Sequence, residues 1–204
     1  MAKRPNRLAA APAGWLAACL LAAAAAPAAE YYVATNGTGA GTSWATAFPS
    51  IQTALDRAGS GDVVHVAGGT FRLTSSLVWT QSGLRLHGGY EGVGAPGNRD
   101  PVRWPSVVTR NTAGGNQAFG DDSQARGFCP VAGTTYTNRV LALLGVTNAL
   151  LDGVALCNGY LYTSSAGGRN ERGANLLISN CVNVTILAAS LADGYIYAYA
   201  GPLQ

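Results

Sequence analysis

The chain contains an internal repeat of 35 residues, which restricts its fold more than any other feature of the sequence. Val140–Gly159 aligns without gaps with Asn175–Gly194, and four of the twenty positions are identical. Several other positions pair one apolar residue with another. Repeats of this length are typical of proteins in which each repeat stacks on the previous one and buries its apolar side chains there. The identical pairs are Leu141 with Leu176, Asn148 with Asn183, Leu156 with Leu191, and Gly159 with Gly194.

Most of the chain consists of short apolar stretches, rich in β-branched residues and separated by Gly, Asn, Ser and Thr. This pattern predicts an all-β fold, either a sandwich, a barrel or a solenoid. The repeat favours the solenoid, in which Asn148 stacked on Asn183 would satisfy backbone groups at a tight corner. One helix is expected at Ser50–Ala58, with Ser50 as its N-cap and Gly59 as its C-terminal stop. The predicted strands are Tyr31–Ala34, Val63–Val66, Ser76–Trp79, Leu84–Leu86, Val107–Thr109, Val140–Leu144, Leu150–Leu151, Leu176–Ile178 and Val184–Leu187.

Residues 1–28 have the composition of a secretory signal peptide. Three basic residues within the first seven precede an uncharged stretch that runs to residue 29. Residues 26–28 (APA) offer the small side chains that a cleavage site requires. Two alternatives are a retained membrane anchor, which the prolines and the abundant alanine disfavour, and a lipoprotein modified at Cys19. We therefore expect a mature chain of residues 29–204 that is secreted or held at the cell surface.

Beyond this leader the chain is electrically neutral. Three of the 13 Lys and Arg residues lie in the leader, so the remaining ten balance the ten Asp and Glu residues. A neutral body offers no basic surface for nucleic acid or for an anionic membrane. Apolar residues make up 48% of the chain and charged residues 11%, which excludes a disordered polyelectrolyte.

Three cysteines, Cys129, Cys157 and Cys181, remain after removal of the leader. In an oxidising compartment one pair could form a disulfide and leave an odd thiol, or all three could be buried as small apolar residues. No Cys-x-x-Cys or Cys/His spacing predicts a zinc site. Asp121 and Asp122 fall far short of the roughly 6–8 oxygen ligands that calcium takes. Neither a metal nor a cofactor is therefore expected.

Several motifs follow one another in the N-terminal half: EYYVATNG at residues 30–37, GTSWATAFPSIQTAL at 41–55, GDVVHVAGGTF at 61–71, LRLHGGYEG at 84–92 and NRD at 98–100. Together they resemble the N-terminal region of bacterial right-handed parallel β-helix proteins of the pectin-lyase-like group, close to the polymorphic-outer-membrane-protein-like branch. The resemblance covers most of residues 30–194. It implies a right-handed parallel β-helix whose first coil is capped by the Ser50–Ala58 helix. It does not imply one activity, because lyases, hydrolases and adhesins share these motifs.

Members of this group continue through further coils to a cap, an anchor or a barrel. No such pattern follows Tyr195–Tyr199 in this sequence. We therefore expect residues 29–204 to form the N-terminal part of a β-helix domain that is incomplete at its C-terminal end. An uncovered final strand of this composition is expected to self-associate.

The catalytic residues, if there are any, are unknown from the sequence. The resemblance implies clustered or paired carboxylates with Arg or Lys in enzymes of this fold, but residues 30–204 contain no lysine. His65 and His87 are the only two histidines and are expected to be exposed on neighbouring coils. Arg99, Asp100 and Arg103 are expected to form an Arg–Asp ion pair that fixes their loop. The acidic residues show no recognisable stripe; they include Asp62, Glu91, Asp100, Asp152, Glu171 and Asp193.

Two functions from different classes are compatible with these features. The first is a non-catalytic exported module that binds a polysaccharide or a cell-surface protein. The second is a truncated polysaccharide-degrading enzyme, a lyase or a glycoside hydrolase, whose catalytic coils lie beyond Gln204. Aromatic side chains that could stack on sugar rings motivate the first hypothesis, although the same side chains could instead be buried by a further coil. They are Tyr160, Tyr162, Tyr195, Tyr197 and Tyr199.

Overall fold

The computed structural model describes residues 27–110, 135–163, 174–192 and 195–198, and these residues form fifteen strands and two short helices. Helix α1 spans Ile51–Arg57, and a 3-10 helix spans Trp44–Thr46. The strands are β1 Glu30–Val33, β2 Val63–Ala67, β3 Gly69–Arg72, β4 Leu77–Trp79, β5 Arg85–Tyr90, β6 Ser106–Thr109, β7 Thr135–Asn138, β8 Leu141–Leu144, β9 Thr147–Asp152, β10 Val154–Cys157, β11 Tyr160–Thr163, β12 Leu176–Ser179, β13 Val182–Leu187, β14 Ser190–Ala192 and β15 Tyr195–Ala198.

The strands pair into four sheets whose neighbours come from separate parts of the chain. Sheet A has the order β1-β2-β5-β9-β13, sheet B β3-β6-β10-β14, sheet C β4-β8-β12 and sheet D β7-β11-β15. Within these sheets every strand pair is parallel except β7 with β11. From β8 to β11 the chain visits sheets C, A, B and D, and from β12 to β15 it repeats that order. The predicted all-β fold is confirmed, and parallel pairing dominates it.

The 35-residue repeat sets the register between these last two passes of the chain. Nδ2 of Asn183 donates to Oδ1 of Asn148 at 2.6 Å, and both residues have positive φ. The predicted stack of these two asparagines is therefore confirmed. The strand partners that are 35 residues apart include Leu141 and Leu176, Leu143 and Ile178, Leu151 and Ile186, Leu156 and Leu191, and Tyr160 and Tyr195.

Alternation along the strands places one face of each sheet in an apolar core. Val64 and Val66 of β2 have no exposed surface, and Trp79 of β4 has none either. Successive side chains of a strand point to opposite faces, so His65 lies on the outer face of sheet A. The inward orientation predicted for the two valines is confirmed.

Helix α1 packs against β1, β2 and β4 and buries Ile51, Ala54 and Leu55. Its Gln52 side chain pairs with β4: Oε1 accepts from the Val78 N–H at 2.8 Å, and Nε2 donates to the Val78 carbonyl at 3.0 Å. Because β4 is an edge strand of sheet C, Gln52 occupies backbone groups that could otherwise pair with another strand. The predicted helix is confirmed to within one residue at each end.

The ends of α1 differ from the predicted capping pattern. Ser50 occupies the N-cap position, but its side chain makes no capping hydrogen bond. The C-cap is Ala58 and not a glycine, and Gly59 does not adopt a positive φ. Oδ2 of Asp62 accepts from the Gly59 N–H at 2.8 Å. The turn after the helix is therefore held by a carboxylate and does not need the conformational freedom of glycine.

Two segments that were expected to be turns or loops form strands. Gly69–Arg72 was expected to be a corner, but it pairs with β6 as strand β3. Tyr160–Thr163 falls in a polar segment expected to be a loop, but it pairs with β7 and β15 as strand β11. In both segments, pairing with distant strands overrides the local preference of glycine and polar residues for turns.

The last pass of the chain exposes positions that are buried one repeat earlier. Leu143, Leu151 and Leu156 are each 1% exposed, whereas their strand partners are 43%, 37% and 56% exposed. Those partners are Ile178, Ile186 and Leu191. Strands β12, β13, β14 and β15 also lie at the ends of their sheets. Their apolar side chains are therefore not covered by any other part of the chain that the structure describes.

Candidate functional site

Four polar side chains lie side by side across sheet A, and we call Tyr32, His65, His87 and Asp152 the polar row. The register pairs Tyr32 of β1 with His65 of β2, His65 with His87 of β5, and His87 with Asp152 of β9. Paired positions of parallel strands place their side chains on the same face of a sheet. The polar row therefore runs across the outer face of sheet A, opposite the core.

His87 and Asp152 form a hydrogen-bonded pair within this row. Nδ1 of His87 lies 3.3 Å from Oδ2 of Asp152, and the side chains are 21% and 13% exposed. The other carboxylate oxygen, Oδ1, lies 2.9 Å from Nη2 of Arg99. A carboxylate next to Nδ1 selects the neutral tautomer that carries its proton there, so Nε2 of His87 is an acceptor. An imidazole held in this way can accept a proton from a bound molecule or from water.

His65 is buried without hydrogen bonds. Its side chain is 6% exposed, and neither ring nitrogen has a hydrogen-bond partner among the residues that the structure describes. The rings of Tyr32, Tyr90 and His87 surround it, with centroid distances of 5.2, 4.9 and 6.4 Å. Oε2 of Glu30 lies 3.6 Å from Nε2 of His65. Buried polar groups are normally hydrogen-bonded, so this unpartnered ring is an unusual feature.

Burial lowers the pKa of both histidines. For His65 the loss of solvation outweighs the opposing effect of the Glu30 carboxylate. For His87 it likewise outweighs the hydrogen bond to Asp152, and the positive charge of Arg99 lowers the pKa further. Both rings are therefore neutral at pH 7. Two positive charges separated by the 6.4 Å between the rings would repel by about 2.5 kcal/mol at an effective dielectric constant of about 20, so protonation of both rings is disfavoured.

The segment of residues 91–105, which we call the Arg99 loop, is attached to the polar row. Nε of Arg99 donates to the Gly88 carbonyl at 2.8 Å while Nη2 reaches Asp152. Elsewhere in the loop, the Pro96 carbonyl accepts from Nε1 of Trp44 at 2.8 Å. A Cβ on Gly153 would lie 2.5 Å from Nη2 of Arg99, so only glycine leaves room for the guanidinium at this position. The loop is thus fixed by contacts with residues far away in sequence.

Three predictions about these residues were wrong. Arg99 does form an ion pair, but with Asp152 and not with Asp100, whose Oδ1 accepts from the backbone N–H groups of Val102 and Arg103. His65 is not exposed, because aromatic rings cover the outer face of β2 at that point. Asp152 is not an isolated acidic residue, because strand pairing brings it to His87.

A sequence signal for the polar row exists in the strands themselves. Residues 84–88 (LRLHG) and 149–153 (ALLDG) share the order apolar, variable, apolar, polar, glycine, at a separation of 65 residues. This match aligns His87 with Asp152. The histidine at position 65 has the same phase in residues 62–66 (DVVHV). A search for a single repeat of 35 residues does not detect these offsets, because the earlier coils differ in length.

Five tyrosine positions align in sheet D, and we call them the tyrosine face. The pairing of β11 with β15 places Tyr160 beside Tyr195 and Tyr162 beside Tyr197, and the pairing with β7 places Tyr136 beside Tyr162. Because strands alternate with a period of two, these five positions belong to one face of the sheet. Tyr136 was not among the predicted ligand-contact residues, because it lies outside the internal repeat. A further predicted position, residue 199, lies outside the described residues.

Within the parts of the chain that the structure describes, no group of three or more His, Cys, Asp or Glu is placed to hold a metal ion. Asp121, Asp122 and Cys129 lie outside those parts. Cys157 and Cys181 carry free thiols. The same parts contain no helix with the length and apolar character required to cross a membrane.

The chain was compared with protein-family models, with curated proteins and with solved structures, and nothing matches it in any of the three comparisons.

Proposed function

We propose that the chain is an exported bacterial β-helix module that binds a glycan through the tyrosine face and does not cleave it. For the fold, the support is the parallel pairing, the repeated visits to the same four sheets and the stack of Asn148 and Asn183. These features are expected of a right-handed parallel β-helix in which α1 caps the first coil. For export and a secreted or cell-surface location, the support is the composition of residues 1–28.

The register of the tyrosine face is the observation that carries the binding proposal. Neighbouring strands lie about 4.8 Å apart and alternate residues of one strand about 6.6 Å apart, so three strands bring five tyrosines into one patch. Aromatic rings combine a large apolar face with a polar hydroxyl, which suits the mixed surface of a sugar ring. The neutral charge of residues 30–204 favours an uncharged glycan over an acidic one.

Binding of residues 29–204 to an array of oligosaccharides tests this proposal. We expect Tyr160→Ala with Tyr195→Ala to weaken binding by about tenfold or more, because two stacking rings are lost. The matched control, Tyr160→Phe with Tyr195→Phe, keeps both rings and is expected to retain most of the affinity. A folded chain that binds no glycan, or an alanine variant that binds like the unmodified chain, would contradict the proposal.

A second candidate function is the cleavage of a polysaccharide, and the His87–Asp152 pair is the observation that favours it. A histidine oriented by a carboxylate is the usual arrangement of a general base. The test is the release of reducing ends from neutral and acidic polysaccharides by the purified chain. His87→Ala should abolish the release if this residue is the base, whereas Asp56→Asn on the exposed side of α1 should not alter it.

A further inference from the structure

Arg99 attaches its loop to a strand that lies more than fifty residues away in sequence. Nη2 reaches the Asp152 carboxylate at 2.9 Å, Nε donates to the Gly88 carbonyl at 2.8 Å, and the guanidinium carbon lies 5.9 Å from the centre of the Tyr90 ring. The Gly88 and Tyr90 contacts are to β5, at the start of the loop itself. The attachment to β9 therefore depends on one carboxylate.

That carboxylate is shared with a group that titrates near neutral pH. In its neutral form, His87 donates from Nδ1 to Oδ2 of Asp152. Protonation at Nε2 turns His87 into a cation that competes with Arg99 for the same negative charge. The competition weakens the ion pair that holds the loop.

His65 couples the same protonation to the aromatic cover above it. Its ring is enclosed by Tyr32 and Tyr90, and neither nitrogen has a hydrogen-bond partner in the described part of the chain. A charged imidazole at this position requires water, which reaches it when Tyr90 moves. Tyr90 is the last residue of β5 and directly precedes the Arg99 loop, and its backbone is bridged to Arg99. Hydration of His65 and release of the loop are therefore expected to occur together.

The charges around the two histidines balance only while both rings are neutral. Two acidic and two basic side chains then cancel, and each added proton leaves an uncompensated positive charge. Tyr32 and Tyr90 remain uncharged over the relevant range, because burial raises the pKa of each. The charged and titratable groups that face the histidines are Glu30 and Tyr32 from β1, Arg85 and Tyr90 from β5, Asp152 from β9, and Arg99 from the loop.

We propose that the polar row is an acid-sensitive contact that holds the Arg99 loop on sheet A at neutral pH and releases it when His65 and His87 take up protons. Release exposes the outer face of β2 and β5 while the core beneath these strands stays folded. The lowered pKa values of both histidines agree with a contact that is closed at pH 7 and opens below the ordinary range of histidine.

Amide hydrogen exchange of residues 29–204, corrected for the intrinsic effect of pH, tests this proposal. Between about pH 7.5 and about pH 5, protection of residues 91–105 is expected to fall by about tenfold or more, while protection of β9 and α1 stays within about threefold. The variant His65→Gln with His87→Gln cannot take up these protons and is expected to show no such change. A loop that responds equally in the variant, or does not respond in the unmodified chain, overturns the proposal. Loss of protection throughout the chain also overturns it, because that result is general acid unfolding.

A second measurement covers the case in which the double variant does not fold. The two histidines of the unmodified mature chain give separate imidazole proton resonances, and their titration midpoints can be compared with the midpoint of loop exchange. Coincidence of the exchange midpoint with one of the two titrations supports the proposal. An exchange midpoint well below both titrations assigns the loop response to carboxylates and overturns it.

Discussion

Asn183 donates its side-chain amide to Asn148 at 2.6 Å across exactly one repeat of 35 residues, and the φ angles of the two residues are 55° and 56°. Left-handed backbone is costly for most L-residues, and asparagine is one of the few side chains that adopt it routinely. Each asparagine therefore serves two purposes at its corner, since it tolerates the backbone conformation and bonds to the next pass of the chain. This pair fixes the register of β9 and β13 at one end of both strands.

Replacement of Asn148 separates these two contributions. Asn148→Ala loses the hydrogen bond and keeps an alanine in the left-handed region, so we expect the free energy of unfolding to fall by about 2 kcal/mol. Asn148→Gly loses only the hydrogen bond and is expected to cost less than about 1 kcal/mol. Denaturant unfolding monitored by circular dichroism measures both variants. Equal losses would show that the backbone conformation is not a constraint at this position.

Leu151 and Ile186 occupy equivalent positions of the repeat but differ in burial. Leu151 is 1% exposed and its strand partner Ile186 is 37% exposed. Leu151→Ala should therefore lower the free energy of unfolding by about 2–5 kcal/mol, the range for a fully buried leucine. Ile186→Ala serves as the matched control and is expected to cost less than half as much. If the two variants were equally destabilised in the same denaturation experiment, the last pass would be covered in solution.

The repeat at positions 140–159 was predictable because the two copies have the same length, so that a single offset aligns every apolar position. Earlier passes differ: β2 and β5 pair at an offset of 22 residues, and β5 and β9 pair at an offset of 65. No single offset aligns these strands, and the contact between His87 and Asp152 was missed for that reason. Loops of different length between coils change the offset without changing which side chains meet.

The burial of His65 was not predictable from local sequence. Alternation correctly placed Val64 and Val66 inward and His65 outward, and an outward position is normally exposed. The cover comes from Tyr32 and Tyr90, which precede it by 33 residues and follow it by 25. A sequence pattern reports which face a residue occupies, whereas the packing on that face depends on tertiary contacts.

Arg99 makes two contacts that a lysine cannot reproduce together. Its Nε and Nη2 bond to the Gly88 carbonyl and to Asp152 at the same time. We expect Arg99→Lys to lower the free energy of unfolding by about 1–2 kcal/mol, because Asp152 and the carbonyl compete for one ammonium group. Arg103→Lys is the control, since the Arg103 guanidinium lies over the Trp104 ring, 4.8 Å from its centre, and should cost less than about 0.5 kcal/mol. Thermal melts of both variants at neutral pH decide between these outcomes.

Stability is expected to fall on mild acidification. The folded chain holds the pKa of His65 and His87 below the value of about 6.5 that applies after unfolding. The unfolded chain therefore binds protons first as the pH falls, and stability that is fully present above about pH 6.5 is lost progressively below it. The melting temperature should accordingly be lower at about pH 5.5 than at about pH 8.

Replacement of His65 by phenylalanine isolates the contribution of this ring. His65→Phe keeps an aromatic side chain between Tyr32 and Tyr90 and removes two buried nitrogens that lack hydrogen-bond partners among the described residues. At about pH 8 its stability should equal or exceed that of the unmodified chain, and its loss of stability down to about pH 5.5 should be smaller. The prediction fails if the variant retains the full pH dependence.

The apolar side chains on the last pass provide the basis for a prediction about association. Ile186 and Leu191 are 37% and 56% exposed, and each lies on a strand at the end of its sheet. Unpaired strand edges that carry exposed aliphatic side chains pair readily with other strands. A second copy of the chain presents the same edges, so residues 29–204 are expected to self-associate through β13 and β14.

Analytical ultracentrifugation of residues 29–204 at micromolar concentrations measures this association. Ile186→Lys with Leu191→Lys should shift the chain towards the monomer, because two charges on the exposed edges oppose pairing and lie outside the buried core. Val102→Lys, at a position 91% exposed in the Arg99 loop, adds a positive charge elsewhere and should leave the association unchanged. An equal response to both changes would indicate a general effect of net charge and not a contact at this edge. An unmodified chain that sediments only as a monomer would remove the basis for the prediction.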